Sequence, residues 1–331
     1  GILLTELIIF STPIRFPVLL FLQQIFDYKT LKPAFITILF AILYFYILGI
    51  SRETLLVSSI LLGSFVFVNS RNWGINFAKT STQILILLLL VSIIQVTFGI
   101  ELGNFFSDYY DKFVGKAAGF SAEPSFFAWV FIYFWLSRFC EKGLDLFSVF
   151  ALISALVLTN AFTIVAFMMI FTAIYILLKL IENKFIALAI LVFAYHAIPL
   201  ILISYKLPFF DYMLILTGSW REPSHFASFL SSQPLGPFSG GANWAPDVIA
   251  GLDKIYLESY PFWIEWPWSF SSILALELGY LITFCICLIL VWMSSKNRFN
   301  NYRHNVAWVL FIFIALFVAP KWMVFFFFFP F

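Results

Sequence analysis

Apolar residues along this chain come in long unbroken runs separated by short polar punctuation. The runs fall near residues 2–22, 33–50, 54–69, 81–100, 124–139, 144–159, 161–181, 185–203, 268–293 and 304–320. A run of this kind reads as a helix that crosses a bilayer, and the set predicts about ten spans. Several runs are short. A short or interrupted span suggests a helix that stops partway, where protein or a water-filled cavity satisfies its backbone. Thr159-Asn160 falls where two runs meet and predicts a tight turn or helix break. Two longer polar stretches, 101–123 and 204–267, interrupt the pattern.

Composition agrees with the pattern. With 63% hydrophobic and 11% charged residues, one soluble core cannot hide the apolar surface, so the expected fold class is an all-α polytopic membrane protein forming a single integral membrane domain over 1–331. Lys+Arg 19 against Asp+Glu 17 leaves no basic surface of the kind nucleic acid selects, and no nucleic-acid partner is expected. Cys140, Cys285 and Cys287 are too few for a disulfide framework, and the Cys-x-Cys pair lacks a neighbouring His or Asp to make a metal site. They read as packing or lipid-facing residues. The sequence opens on Gly1, and no signal peptide is read from it.

Charge position sets the orientation. Lys29, Lys32, Arg71, Lys79, Arg138, Lys142, Lys179, Lys184, Lys296, Arg298 and Arg303 all fall in connections on one side, which the positive-inside rule makes cytoplasmic. Arg52 breaks the pattern and is answered by Glu53. Both long stretches, 101–123 and the larger 204–267, then emerge on the outer face, where function is to be sought. The larger loop is rich in Tyr and Trp, including Trp220 and Trp244. Such rings serve as interface anchors and as flat faces for sugars.

Candidate chemistry gathers at these loops. Glu123 precedes Pro124, which suits the first turn of a helix because its missing N–H costs nothing there. A carboxylate at that position faces the positive end of the helix dipole, and capping alone would account for it. Glu-Pro-Ser recurs as Arg221-Glu222-Pro223-Ser224-His225 and reads again as a helix start. Lys112, Lys116, Lys206, Arg221 and Lys254 lie on the outer face beside Asp108, Asp111, Glu123 and Glu222. Cations at helix mouths offer a seat for phosphate, with Arg as a bidentate clamp. His196 and Glu277 lie within or near spans. A lone His there is more often hydrogen-bonded packing, whereas an ionisable carboxyl usually faces a polar interior.

Gly119-Phe120-Ser121-Ala122-Glu123-Pro124-Ser125-Phe126-Phe127-Ala128 resembles the Gly-Phe-x-x-Glu-Pro-Ser entry to a span in bacterial O-antigen and exopolysaccharide polymerases of the Wzy type. Gly218-Ser219-Trp220-Arg221 and the later Gln233-Pro234-Leu235-Gly236 resemble their outer-loop Arg and the downstream Asn/Gln-Pro-Leu-x-Gly. Leu274-Ala275-Leu276-Glu277-Leu278-Gly279 is similar to the start of their span after the large loop. The resemblance covers roughly 115–280. It departs in two places: Lys116 stands where an Arg is often seen, and Pro267-Trp268-Ser269-Phe270-Ser271 lacks a His often found there, with His225 as the available substitute.

The resemblance implies a GT-C-like glycosyltransferase of the bacterial inner membrane that acts on its outer face, without metal or other cofactor. Undecaprenyl-diphosphate-linked glycan would be donor and acceptor, and a chain-length regulator a possible partner. Fixed positive charge on Arg221 and Lys116 suits a leaving diphosphate. Glu123, and after it Glu222, suits the base that takes the proton of the incoming hydroxyl. Lys112, Lys254, Trp220 and Trp244, with Ser125, His225 and Glu277, are the expected substrate contacts. An O-antigen ligase, transferring glycan to lipid A core, would share this topology and chemistry. A transporter of lipid-linked glycan would carry its charges midway along the spans, and a purely structural membrane protein would not need a long aromatic, charged loop.

Overall fold

A computed structural model describes residues 77–99, 116–117, 124–205, 221–236, 249–251, 267, 269–295 and 301–318. The described residues are mostly helical and contain no strand. In chain order the helices are α1 (Phe77–Phe98), α2 (Pro124–Lys142), α3 (Leu146–Thr159), α4 (Phe162–Ile181), α5 (Lys184–Ser204), α6 (Arg221–Ser231), α7 (Phe270–Leu278), α8 (Tyr280–Ser295) and α9 (Tyr302–Phe313), which continues into a π-helical turn (Ile314–Val318). Among the described residues, three segments are long and apolar enough to cross a membrane: Ser81–Phe98, Phe162–Ile181 and Lys184–Leu202. α3, α8 and the α9–π stretch are shorter apolar helices. The runs expected at 2–22, 33–50 and 54–69 lie outside the described residues.

α2 is the hub. Its side chains from Phe127 to Cys140 are buried all round, the position for which an apolar helix without a polar face is suited. Trp135 is fully buried, stacks on Phe139 at 5.5 Å and meets Phe167 and Phe171 edge-on. Its indole N–H donates to the Ser148 carbonyl at 2.9 Å, so the one polar atom of the ring is satisfied where it is buried. α1, α3, α4 and α9 pack around this helix. Facing away from it, α1, α4, α5 and α8 expose large apolar residues such as Leu90, Met169, Phe193 and Phe284, as helices do when their surroundings are hydrocarbon.

One end of the bundle is tied by charge. Arg138 forks onto both Asp145 oxygens, at 2.8 and 2.5 Å, and also reaches Ser148 Oγ at 2.6 Å and Thr82 Oγ1 at 3.0 Å. Asp145 is at the same time the N-cap of α3, accepting from the Ser148 amide at 2.8 Å. The guanidinium holds the Asp145 carboxyl well below the usual carboxylate range. Gly143, at φ +76°, forms the α2–α3 corner, where Arg303 packs so closely that a Cβ would lie 2.9 Å from its guanidinium carbon. Arg138, one of the cations that set the expected orientation, is also half of an ion pair. At the other end Thr159-Asn160 makes the expected tight turn, with Asn160 left-handed (φ 46°, ψ 38°) between α3 and α4.

The run expected as one span over 268–293 is two helices. α7 ends and α8 begins on either side of Gly279, whose φ of 86° and ψ of 159° halt the helical path. From Phe270 to Glu277 the side chains of α7 are buried. This short helix ends inside protein, where partners for its backbone exist.

Candidate functional site

The break at Gly279 is repaired from a distance. A helix end leaves backbone groups without partners, and here the end falls in a buried place. The segment after α6 supplies what is missing. The Gln233 carbonyl accepts from the Tyr280 amide at 3.0 Å, and the Pro234 carbonyl accepts from the Leu281 amide at 3.2 Å. In return the Gly236 amide donates to the Leu278 carbonyl at 2.9 Å. Pro234, having no N–H, brings no donor of its own to satisfy in this crossing. Thus the two stretches Gln233-Pro234-Leu235-Gly236 and Leu274–Gly279 are folded onto one another.

α6 lies against α7 and presents a polar face to it. Pro223 to Ser228 are buried. The hydroxyls of Ser228 and Ser231 donate back to the Ser224 and Ala227 carbonyls, at 2.7 and 2.8 Å, which satisfies them within the helix. The Ala227 backbone presses on Gly251, where no Cβ would fit. His225, 1% exposed, is the exception, since both ring nitrogens leave the helix. Its Nδ1 meets Ser269 Oγ at 2.7 Å, and its Nε2 meets His196 Nε2 of α5 at 3.2 Å. His196 Nδ1 contacts the Val192 carbonyl at 2.8 Å. Ser269 is the N-cap of α7 and closes a reciprocal capping box with Ser272. Ser271 donates to the Leu316 carbonyl of the π-turn at 2.7 Å.

Rings enclose this polar thread. Phe229 lies 4.9 Å and Phe226 5.2 Å from the His225 ring, Phe317 lies 5.3 Å from His196, and Tyr195 touches both imidazoles. Burial, reinforced by His196 alongside, holds His225 well below the usual imidazole value, so its ring is neutral at pH 7.

No family model, no curated protein and no solved structure matches this chain.

Among the residues expected at the site, Glu123, Lys112, Trp220, Trp244 and Lys254 lie outside the described residues. Pro124 is the first residue of α2, as its chemistry predicts, and Ser125 follows half-buried in the first turn. Lys116 is half-buried beside Ala117, whose amide donates to the Leu158 carbonyl at 2.8 Å and so brings it to the α3–α4 turn. Arg221 and Glu222 are the first two residues of α6. His225 and Glu277 are both buried and are linked through α7, with Ser269 at its N-cap and Glu277 in its last turn. Glu277 is 0% exposed. An ionisable group buried in an apolar bundle is costly to keep, the usual mark of a functional position.

Two members of the thread are harder to find from sequence. His196 is a single imidazole in an apolar run, which reads as packing, and only the fold shows that it faces a second ring. Ser269, in Ser269-Phe270-Ser271-Ser272 before an apolar run, carries the signal of a helix cap. Nothing local indicates the imidazole that meets it from 44 residues away.

Proposed function

We propose that this chain is a membrane glycosyltransferase that polymerises undecaprenyl-diphosphate-linked oligosaccharide repeat units into O-antigen or exopolysaccharide on the outer face of the bacterial cytoplasmic membrane. The supporting observation is that three backbone hydrogen bonds join Gln233–Gly236 to the α7–α8 break, with α6 packed against α7. Gln233–Gly236 and Leu274–Gly279 are two of the stretches that resemble the polymerases, and separation in sequence gives them no reason to meet unless the fold needs them together.

In this reading the anomeric C–O bond to the donor's diphosphate breaks as the acceptor hydroxyl oxygen bonds to the same carbon. The hydroxyl proton passes to Glu123, with Glu222 as the second candidate, and the diphosphate leaves with the lipid. Arg221 and Lys116 neutralise the charge that develops on the leaving group. Trp220 and Trp244 offer faces to the glycan. Ser125, Lys112, Lys254 and Glu277 complete the substrate contacts, whereas His225, expected among them, has both ring nitrogens engaged by Ser269 and His196.

The test is polymerisation of purified lipid-linked repeat units by the protein in liposomes. Wild type should yield a ladder of polymer lengths, and Arg221→Lys should lose most of it, because a point charge does not replace a bidentate fork. Near wild-type polymer from Arg221→Lys at equal protein would remove the role given to Arg221. No polymer from wild type, with glycan transferred to an added lipid A core, would make the chain a ligase instead.

A further inference from the structure

The hydrogen-bond directions in the thread follow from its two ends. A carbonyl only accepts, so His196 Nδ1 carries hydrogen towards Val192, and in a neutral ring its Nε2 is then an acceptor. The 3.2 Å contact therefore needs a hydrogen on His225 Nε2. That leaves His225 Nδ1 to accept from the Ser269 hydroxyl at 2.7 Å. At the far end the Ser271 hydroxyl is committed to the Leu316 carbonyl, so its oxygen can still accept, and it lies 3.3 Å from Ser269 Oγ. Ser269 thus has two acceptors within reach, one on each side.

We propose that His196, His225, Ser269 and Ser271 form a one-proton relay: a single added proton is taken up with every contact kept and the sense of the inner ones reversed, while a second proton drives the two rings apart. The proton balance is explicit. A proton delivered to Ser269 Oγ displaces the hydroxyl hydrogen onto His225 Nδ1, and the hydrogen of His225 Nε2 crosses to His196 Nε2. In the resulting state His196 is an imidazolium that donates to both Val192 and His225. The neutral His225 donates to Ser269, and Ser269 donates to Ser271. Four hydrogens become five, and no contact is lost. A second proton would place N–H against N–H at the 3.2 Å contact, where neither ring can accept. The consequence is a latch: α6 is held on α5 with zero or one proton and released with two.

Among the described residues, other titratable groups around the rings are few. Tyr195 of α5 lies against both imidazoles, Arg221 and Glu222 stand one turn before His225 on α6, and Glu277 lies two turns beyond Ser269 on α7. The π-turn contributes Phe317 and no titratable side chain. The relay rests on these contacts alone and is independent of the glycosyl transfer proposed above.

The experiment is nitrogen-15 NMR of histidine-labelled protein in detergent micelles. The chain has His 3, so His196 and His225 are assigned by His→Gln variants, with His304 as internal reference. At neutral pH His196 should be the Nδ1–H form and His225 the Nε2–H form. On acidification the pair should take up one proton first, with His225 switching to Nδ1–H while still neutral. Ser271→Ala should move that first uptake to lower pH by roughly half to one unit through loss of the second acceptor, and Ser271→Thr should restore it. Amide hydrogen exchange within Phe226–Leu230 of α6 should rise only with the second proton. An Nδ1–H His225 at neutral pH, two rings that titrate independently, or an unshifted uptake in Ser271→Ala would each overturn the relay.

Discussion

Gly236 and Gly279 meet backbone to backbone: a Cβ on Gly279 would sit 2.5 Å from the Gly236 amide nitrogen and 2.6 Å from the Pro234 carbonyl oxygen. The contact explains why two glycines 43 positions apart in sequence, 236 and 279, stand at one place. Gly279 also needs φ +86°, a conformation that side-chain-bearing residues adopt at a cost. Close approach permits the three hydrogen bonds that heal the α7–α8 break, and these in turn fix the last turn of α7 with Glu277.

Gly279→Ala should therefore destabilise the protein by about 2 kcal/mol or more, combining backbone strain with displacement of the crossing segment. Leu235→Ala, at the exposed side chain between Pro234 and Gly236, should change stability by no more than about 0.5 kcal/mol. Thermal unfolding of both variants in the same detergent checks this. Equal melting temperatures for the two would mean that the crossing does not hold the break together.

The Arg138–Asp145 pair predicts a different response. Arg138→Lys keeps the charge but loses the fork onto both carboxylate oxygens, together with the contacts to Thr82 and Ser148. Asp145→Asn retains an oxygen for the Ser148 amide and so separates capping, worth about 1 kcal/mol, from pairing. Arg138→Lys should be the more damaging change, because Arg138 is buried and Asp145 is partly exposed. The folded-state pKa of Asp145 is depressed, so the stability that the pair contributes is present above the ordinary carboxylate pKa and lost only as pH falls through the lower, folded value. A melting temperature that drops between pH 7 and pH 5 in wild type, but not in Asp145→Asn, would contradict that assignment.

Among the described residues, the positions of α1 to α5 and of α9 were legible because apolar run length reports them directly. The starts of α2 at Pro124 and of α4 after Asn160 follow from proline and turn chemistry that acts within a few residues. The division of 268–293 at Gly279 was not legible. A glycine in an apolar run is tolerated in a helix, and only the Gln233–Gly236 segment, distant in sequence, makes a break there stable. The same distinction applies to the site. Glu277 stands out by its own chemistry, an ionisable group in an apolar run. His196 acquires its meaning from His225, which folding alone brings to it.

His225 predicts how stability depends on pH in mild acid. Its folded-state pKa lies well below 6.5, while in the unfolded chain the ring titrates near that value. Between the two values the unfolded chain binds more protons, so stability falls as pH falls and is fully regained above about pH 6.5. Melting temperatures from pH 7.5 to 5 should decline in wild type and decline less in His225→Gln, which cannot titrate. A steeper decline in the variant would place the proton-sensitive group elsewhere.

Glu123 decides between a cap and a catalyst. It immediately precedes Pro124, the first residue of α2, so a carboxylate there could accept from the amides of the first turn and do nothing else. Glutamine keeps a side-chain oxygen for those amides. A cap would therefore survive Glu123→Gln at a cost of about 1 kcal/mol or less, with polymer formation nearly unchanged. A general base cannot survive it, since loss of the proton acceptor typically costs on the order of a hundredfold to ten-thousandfold in rate. Glu222→Gln is the matched control, removing the same charge from the second Glu-Pro-Ser, at the start of α6. Initial rates on purified lipid-linked repeat units, with binding of the same lipid measured in parallel, should show Glu123→Gln binding normally and turning over at least a hundredfold more slowly. If Glu222→Gln alone loses turnover, the two carboxylates exchange roles. If both variants polymerise at the wild-type rate, both Glu-Pro-Ser motifs are helix starts only, and the base must be sought at Glu277, the carboxyl buried beside the Gly236–Gly279 crossing.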